Sequence, residues 1–125
     1  MPSIPSDAEL AILTVLWRCG PNTVREVHET LAKDTGYTST LKQMQVMHEK
    51  GLLRRTERYR SHVYEAAASR EEIQARIAGD VLHRAFEGSA KDLVLGALTA
   101  QRASVKDLNE IRRIIDEFES RRKSR

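Results

Sequence analysis

At 125 residues the chain has room for one domain, or for a small domain with an appendage. Its 40% apolar and 31% charged residues exclude a disordered chain, and a formal net charge of only +3 makes the clustering of charge, not its total, the sign of a nucleic-acid partner. The single cysteine, Cys19, excludes an intrachain disulfide and is expected as a small buried hydrophobe at a helix end.

No apolar run reaches the length of a membrane span and Met1-Pro2-Ser3 opens no signal peptide, so a cytoplasmic protein is expected. A first helix is predicted from about Asp7 to Arg18. Ser6-Asp7-Ala8-Glu9 marks its start as a capping box, in which the hydroxyl accepts from a first-turn amide and the acid reaches back. Leu10, Leu13, Val15, Leu16 and Trp17 supply its apolar side, and Gly20-Pro21-Asn22 breaks it. Thr23-Val24-Arg25-Glu26 is a second capping box. It opens a helix from about Val24 to Lys33 that buries Val24, Val27 and Leu31. Asp34-Thr35-Gly36-Tyr37 is the turn before a third helix.

That third helix begins at Thr38, for which a helix cap is the favoured role. Leu41, Met44, Met47 and His48 recur at helical spacing as a buried stripe. Ser39, Lys42, Gln43 and Gln45 occupy the other side, with donors and acceptors of the kind that read base edges. Gly51 stops the helix. Two short strands follow, roughly Leu53 to Thr56 and Ser61 to Tyr64. From Lys42 to His62 there are six Lys/Arg against two Glu, so charge gathers at this junction. Three short helices followed by a basic hairpin have the order of a winged helix-turn-helix.

Beyond Ala66 the strand signal disappears. Ser69-Arg70-Glu71-Glu72 caps a helix on which Ile73, Ile77, Val81 and Ala85 sit four apart. Ser89 with Asp92, and Ser104 with Asp107, are weaker caps with a shorter acid, bringing the count to six helices. Gly88 separates the fourth helix from a short one bearing Leu93, Val94, Ala97 and Leu98. After Gln101 to Ser104, a last helix of about Val105 to Ser120 carries Val105, Leu108, Ile111, Ile115 and Phe118. These helices are too short for an independent core of much size and are expected to close against a second copy of the chain. The remaining Arg121-Arg122-Lys123-Ser124-Arg125 reads as a solvated end. The expected fold is mainly α with a small β-hairpin wing: a winged-helix DNA-binding domain over 1–67 and a helical dimerisation domain over 68–125.

Five pieces in order carry a family resemblance: Ala8-Glu9-Leu10 through Val15-Leu16-Trp17, Thr23-Val24-Arg25-Glu26-Val27, Lys50-Gly51-Leu52-Leu53, Arg60-Ser61-His62-Val63-Tyr64, and a C-terminal half with Phe86-Glu87-Gly88-Ser89 and Leu93-Val94-Leu95. Over nearly its whole length the chain resembles the penicillinase repressor type (BlaI/MecI-like transcriptional regulators). The resemblance implies a homodimer that binds a pseudo-palindromic operator and represses transcription, often of β-lactamase or other stress-resistance genes. In several members a membrane sensor-protease pathway cleaves the C-terminal region. The Asn-Phe pair cut there is replaced here by Gly96-Ala97, which speaks against cleavage at that bond. The cysteine-rich tail of related copper-responsive repressors is also missing, so no cofactor is expected. Tyr59 stands where a wing glycine is common.

In the winged-helix reading, Ser39, Lys42 and Gln43 contact base edges, and Thr40 touches a thymine methyl. Thr38 faces a phosphate while capping. Arg55, Arg58 and Arg60 grip phosphate from the wing, with Arg54 ranked below them and His62 beside Tyr64. Thr23 and Arg25 meet phosphate at the start of the second helix, though capping is the blander role for Thr23. Ile77, Val81, Leu95, Leu108, Ile111, Ile115 and Phe118 are the expected dimer contacts. An enzyme is disfavoured: His28, His48, His62 and His83 are scattered without metal-ligand spacing, Cys19 lacks a catalytic setting, and no glycine-rich phosphate loop occurs. The alternative from another class is a winged-helix module that binds protein without DNA specificity.

Overall fold

Local capping chemistry sets where the first helix starts. The computed structural model describes residues 4–31 and 36–123. In it Ser6 Oγ accepts from the Glu9 amide at 3.2 Å and Glu9 Oε1 accepts from the Ser6 amide at 2.9 Å. Helix α1 (Asp7–Cys19) follows. It leads to a two-residue strand, β1 (Asn22–Thr23), then to α2 (Val24–Leu31) and α3 (Tyr37–Glu49). The expected end of the second helix at Lys33, and Asp34 and Thr35 of the turn, lie outside the described residues.

Gly51 ends α3 as expected, with φ +85°. The Gly51 amide donates to His48 O at 3.1 Å and the Leu52 amide to Met47 O at 2.9 Å. These two bonds make a Schellman stop, which needs a left-handed residue at this place. Strand β2 (Leu53–Arg58) then pairs antiparallel with β3 (Ser61–Ala66), from Leu53 opposite Ala66 to Arg58 opposite Ser61. Each strand runs two residues past its expected end. β1 pairs with β3 through Asn22–Tyr64 and Thr23–Val63, giving a three-stranded sheet of order β1-β3-β2. Two residues beside a proline are too few to show alternation, which is why β1 was not foreseen.

The core lies between α1, α2, α3 and the base of the hairpin. Ile12, Leu13, Leu16, Val27, Met44, Met47, Leu52, Leu53 and Tyr64 form it. Leu10, Trp17, Leu41 and His48, expected inside, are half-buried. Trp17 is held at the rim, where its Nε1–H donates to Ala68 O at 3.1 Å. Cys19 reverses the expectation: it is exposed at the end of α1, past the turn that packs.

Glu9 is an acid inside the winged unit, only 4% exposed. Besides the Ser6 amide it meets Lys50 Nζ, which donates to Oε2 at 2.9 Å and ties the start of α1 to the end of α3. Burial alone would raise the pKa of Glu9. The Ser6 amide, then the Lys50 hydrogen bond and charge, outweigh it and hold the carboxyl below its ordinary value.

Helix α4 (Arg70–Phe86) is followed by α5 (Ala90–Ala100) and α6 (Val105–Lys123), giving six helices among the described residues. The hydroxyls of Ser69, Ser89 and Ser104 accept from the amides of Glu72, Asp92 and Asp107 at 3.0–3.1 Å. The chain divides into two compact units between Asp80 and Val81, inside α4, not at the expected 67/68 boundary. Ile73 on the first half of α4 is 1% exposed, which places that half with the winged unit.

In the second unit neither α5 nor α6 has a buried residue. Phe86 rests on α5 at Gly96, where an added Cβ would stand 3.3 Å from two ring carbons. Arg121, Arg122 and Lys123 continue α6, where positive charge complements the C-terminal end of the helix dipole. Ser124 and Arg125 lie outside the described residues.

Candidate nucleic-acid interface

Helix α3 presents Thr38, Ser39, Lys42, Gln45 and Val46 to solvent, while Met44 and Met47 are fully buried. Ser39 and Lys42 therefore stand on the accessible face, as expected. Gln43 is half-buried and lies toward α1, so Gln45 is the more open of the two glutamines. Gly36, not Thr38, occupies the cap position, and it offers no side-chain bond. Thr38 is thus an exposed first-turn residue.

Thr40 requires a correction. It is 3% exposed, and its Oγ1 shares a 2.8 Å hydrogen bond with His28 Nδ1. Its methyl is not offered to a base. The reason is helical geometry: Thr40 precedes Met44 by four residues and Met47 by seven, so it belongs to the buried stripe. Here its hydroxyl ties α3 to α2.

A cleft of about 490 Å³ lies beside the accessible face of α3. Thr23 and Arg25 from the start of α2, Tyr37 and Leu41 from α3, and Arg60, Ser61 and His62 from the wing line it, above Tyr64. Its wall is braced from one side to the other. The Arg25 guanidinium lies 4.8 Å from the Tyr37 ring centre, and Tyr37 meets His28 edge-on at 6.1 Å. Thr23 does cap α2: its Oγ1 accepts from the Glu26 amide at 3.2 Å, and Glu26 Oε1 accepts from the Thr23 amide at 2.9 Å. Those two Thr23 bonds, and the charge of Arg58, hold the Glu26 carboxyl below its ordinary value. Tyr37 and Ser61 were not foreseen; a tyrosine at a helix start gives no sequence sign that it will stack on an arginine.

The wing closes on Tyr59 and Arg60, both left-handed, at φ +51° and +65°. Two such central residues make a type I′ turn, whose twist matches that of the strands. Arg55, Arg58 and Arg60 are exposed, as phosphate contacts need to be. Arg54 instead pairs with Glu65 across the strands at 3.1 Å.

Of the expected dimer contacts, Leu95, Ile115 and Phe118 are 62%, 50% and 60% exposed, whereas Ile77, Val81, Leu108 and Ile111 are half-buried. Val94, Val105 and Ile114, outside that expectation, are also exposed. Among the described residues no group of His, Cys, Asp and Glu could hold a metal, and no helix is long and apolar enough to cross a membrane.

A helix with an open polar face, a basic hairpin and a cationic cleft between them define a winged-helix transcriptional regulator. The chain belongs to the penicillinase repressor family, whose model matches residues 5–117. This is a family of transcriptional repressors, not of enzymes. The chain is 30% identical over 117 residues to the transcriptional regulator BlaI of Mycobacterium tuberculosis (strains CDC 1551 / Oshkosh and ATCC 25618 / H37Rv), covering 91% of this chain and 84% of that protein. It is 27% identical over 127 residues to the penicillinase repressor of Bacillus licheniformis, covering 98% and 99%. A crystal structure of an ArsR family transcriptional regulator aligns with a TM-score of 0.47 at 20% identity, over 63% of this chain and 75% of that one.

Proposed function

We propose that this regulator acts as a homodimer on a pseudo-palindromic operator and represses the genes beside it, with β-lactamase or other stress-resistance genes as the target class. The observation that carries this reading is the open face of α3, with Ser39, Lys42 and Gln45 exposed beside a cleft lined by Arg25, Arg60 and His62. The face enters the major groove, where serine, lysine and glutamine find partners on base edges. The cleft takes the adjoining phosphate strand, with Arg55 and Arg58 reaching further along the wing.

Leu95, Ile115 and Phe118 supply the apolar surface through which the second copy is held, joined by Val94 and Ile114. Two recognition helices then meet major grooves about 34 Å apart, or a multiple of that. Release through a sensor-protease pathway finds no Asn-Phe bond in this chain. The Gly96–Ala97 peptide lies within α5, so cutting it would first require that helix to open.

Selection of bound sequences from random DNA by the purified full chain tests the proposal. It should recover an inverted repeat with one fixed half-site spacing. Recovery of no motif would favour a protein-binding module instead.

A further inference from the structure

The structure places one branched aliphatic side chain in the polar face that enters the groove. Val46 is 36% exposed, whereas its neighbours Met44 and Met47 are fully buried. It lines an open recess of about 400 Å³ between α3 and the start of α1, with Ser39, Lys42, Gln43 and Lys50 on one side and Ser6 and Glu9 on the other. Lys50 Nζ donates to Glu9 Oε2 at 2.9 Å across the recess. Val46 is the one apolar residue among those that line it.

We infer that Val46 reads the 5-methyl group of a thymine. This deepens the proposed operator binding and rests on it. In the major groove the thymine methyl is the apolar mark on a base edge, and an aliphatic side chain is its fitting partner. Thr40 cannot take this part, being buried against His28. Val46 follows Lys42 by four residues, about 6 Å along the helix axis. At about 3.4 Å per base pair, its thymine lies roughly two steps from the base pair that Lys42 reaches.

The test replaces each thymine of the selected operator, one at a time, by deoxyuridine, which lacks only the methyl. Affinities of the full-length wild type and of Val46→Ala are then measured. Wild type should lose about fourfold per half-site at one symmetry-related position, the effect of leaving one methyl group unburied. Val46→Ala should bind the thymine operator about as weakly as wild type binds the deoxyuridine one, and should be indifferent to the exchange. Val46 is on the surface and alanine favours helix, so the variant's unfolding midpoint should match wild type.

Two results overturn the inference: wild type indifferent to every exchange, or Val46→Ala retaining the full thymine preference. Failure of the operator reading looks different, because wild type would then select no sequence at all.

Discussion

Glu9 joins the start of α1 to the end of α3 through Lys50, and Thr40 joins α3 to α2 through His28. Both were read by residue type, one as a capping acid and the other as a groove contact. Glu9 does cap, but it is also buried and paired with Lys50, a residue 41 positions away that no local pattern connects to it. Thr40 has the chemistry to touch a methyl, yet its spacing to Met44 and Met47 puts it inside. Helical spacing made that legible; weighting residue type above position hid it. Lys50→Met should leave the Glu9 carboxylate with less compensation and cost about 1–2 kcal/mol at neutral pH. Urea unfolding followed by the fluorescence of Trp17, the sole tryptophan, measures it. The sign with pH follows from the lowered pKa of Glu9. Its contribution is complete above the ordinary value of 4.5 and is lost as pH falls through the lower folded value. Between about pH 6 and pH 3 the variant should therefore lose less stability than wild type.

Among the elements, five of the six helices described were legible because their caps are written in the sequence as Ser or Thr with an acid three residues on. Helix α3 starts after Gly36 without a side-chain cap and was legible by its apolar spacing. Strand β1 was not, since its two residues exist as strand only through their pairing with β3. The hairpin was foreseen, but its turn was not: neither Tyr59 nor Arg60 belongs to the residue types that favour a left-handed backbone. Relieving the turn gives a clean separation of effects. Tyr59→Asn should raise stability by about 0.5–1 kcal/mol and leave the salt dependence of DNA binding unchanged, because Tyr59 carries no charge. Arg60→Gly should also relieve the turn, but should flatten that salt dependence by about one phosphate contact. Urea titrations and binding at several salt concentrations check both variants.

For the whole molecule, Leu95, Ile115 and Phe118 on the last helices are exposed apolar side chains, and the proposed dimer would cover them. Spacing puts Ile115 and Phe118 on one stripe of α6, and Ile114, next to that stripe, is exposed as well. The first half of α4 groups with the winged unit, and Ile73 on it is 1% exposed. Ile115→Asp should put an unpaired charge into the proposed dimer contact. Sedimentation should then show a monomer at concentrations where wild type is dimeric, with operator affinity reduced at least tenfold. The winged unit itself should keep its thermal unfolding.

Engagement of duplex DNA by the α3 face and its cationic cleft is tested by affinity for the selected inverted repeat across a series of salt concentrations. The logarithm of the binding constant should fall linearly with the logarithm of salt, by about 0.9 per phosphate engaged, and Arg25→Ala should flatten the slope by about one unit. Affinity that hardly changes with salt, and does not respond to Arg25→Ala, would mean that this surface binds something other than nucleic acid.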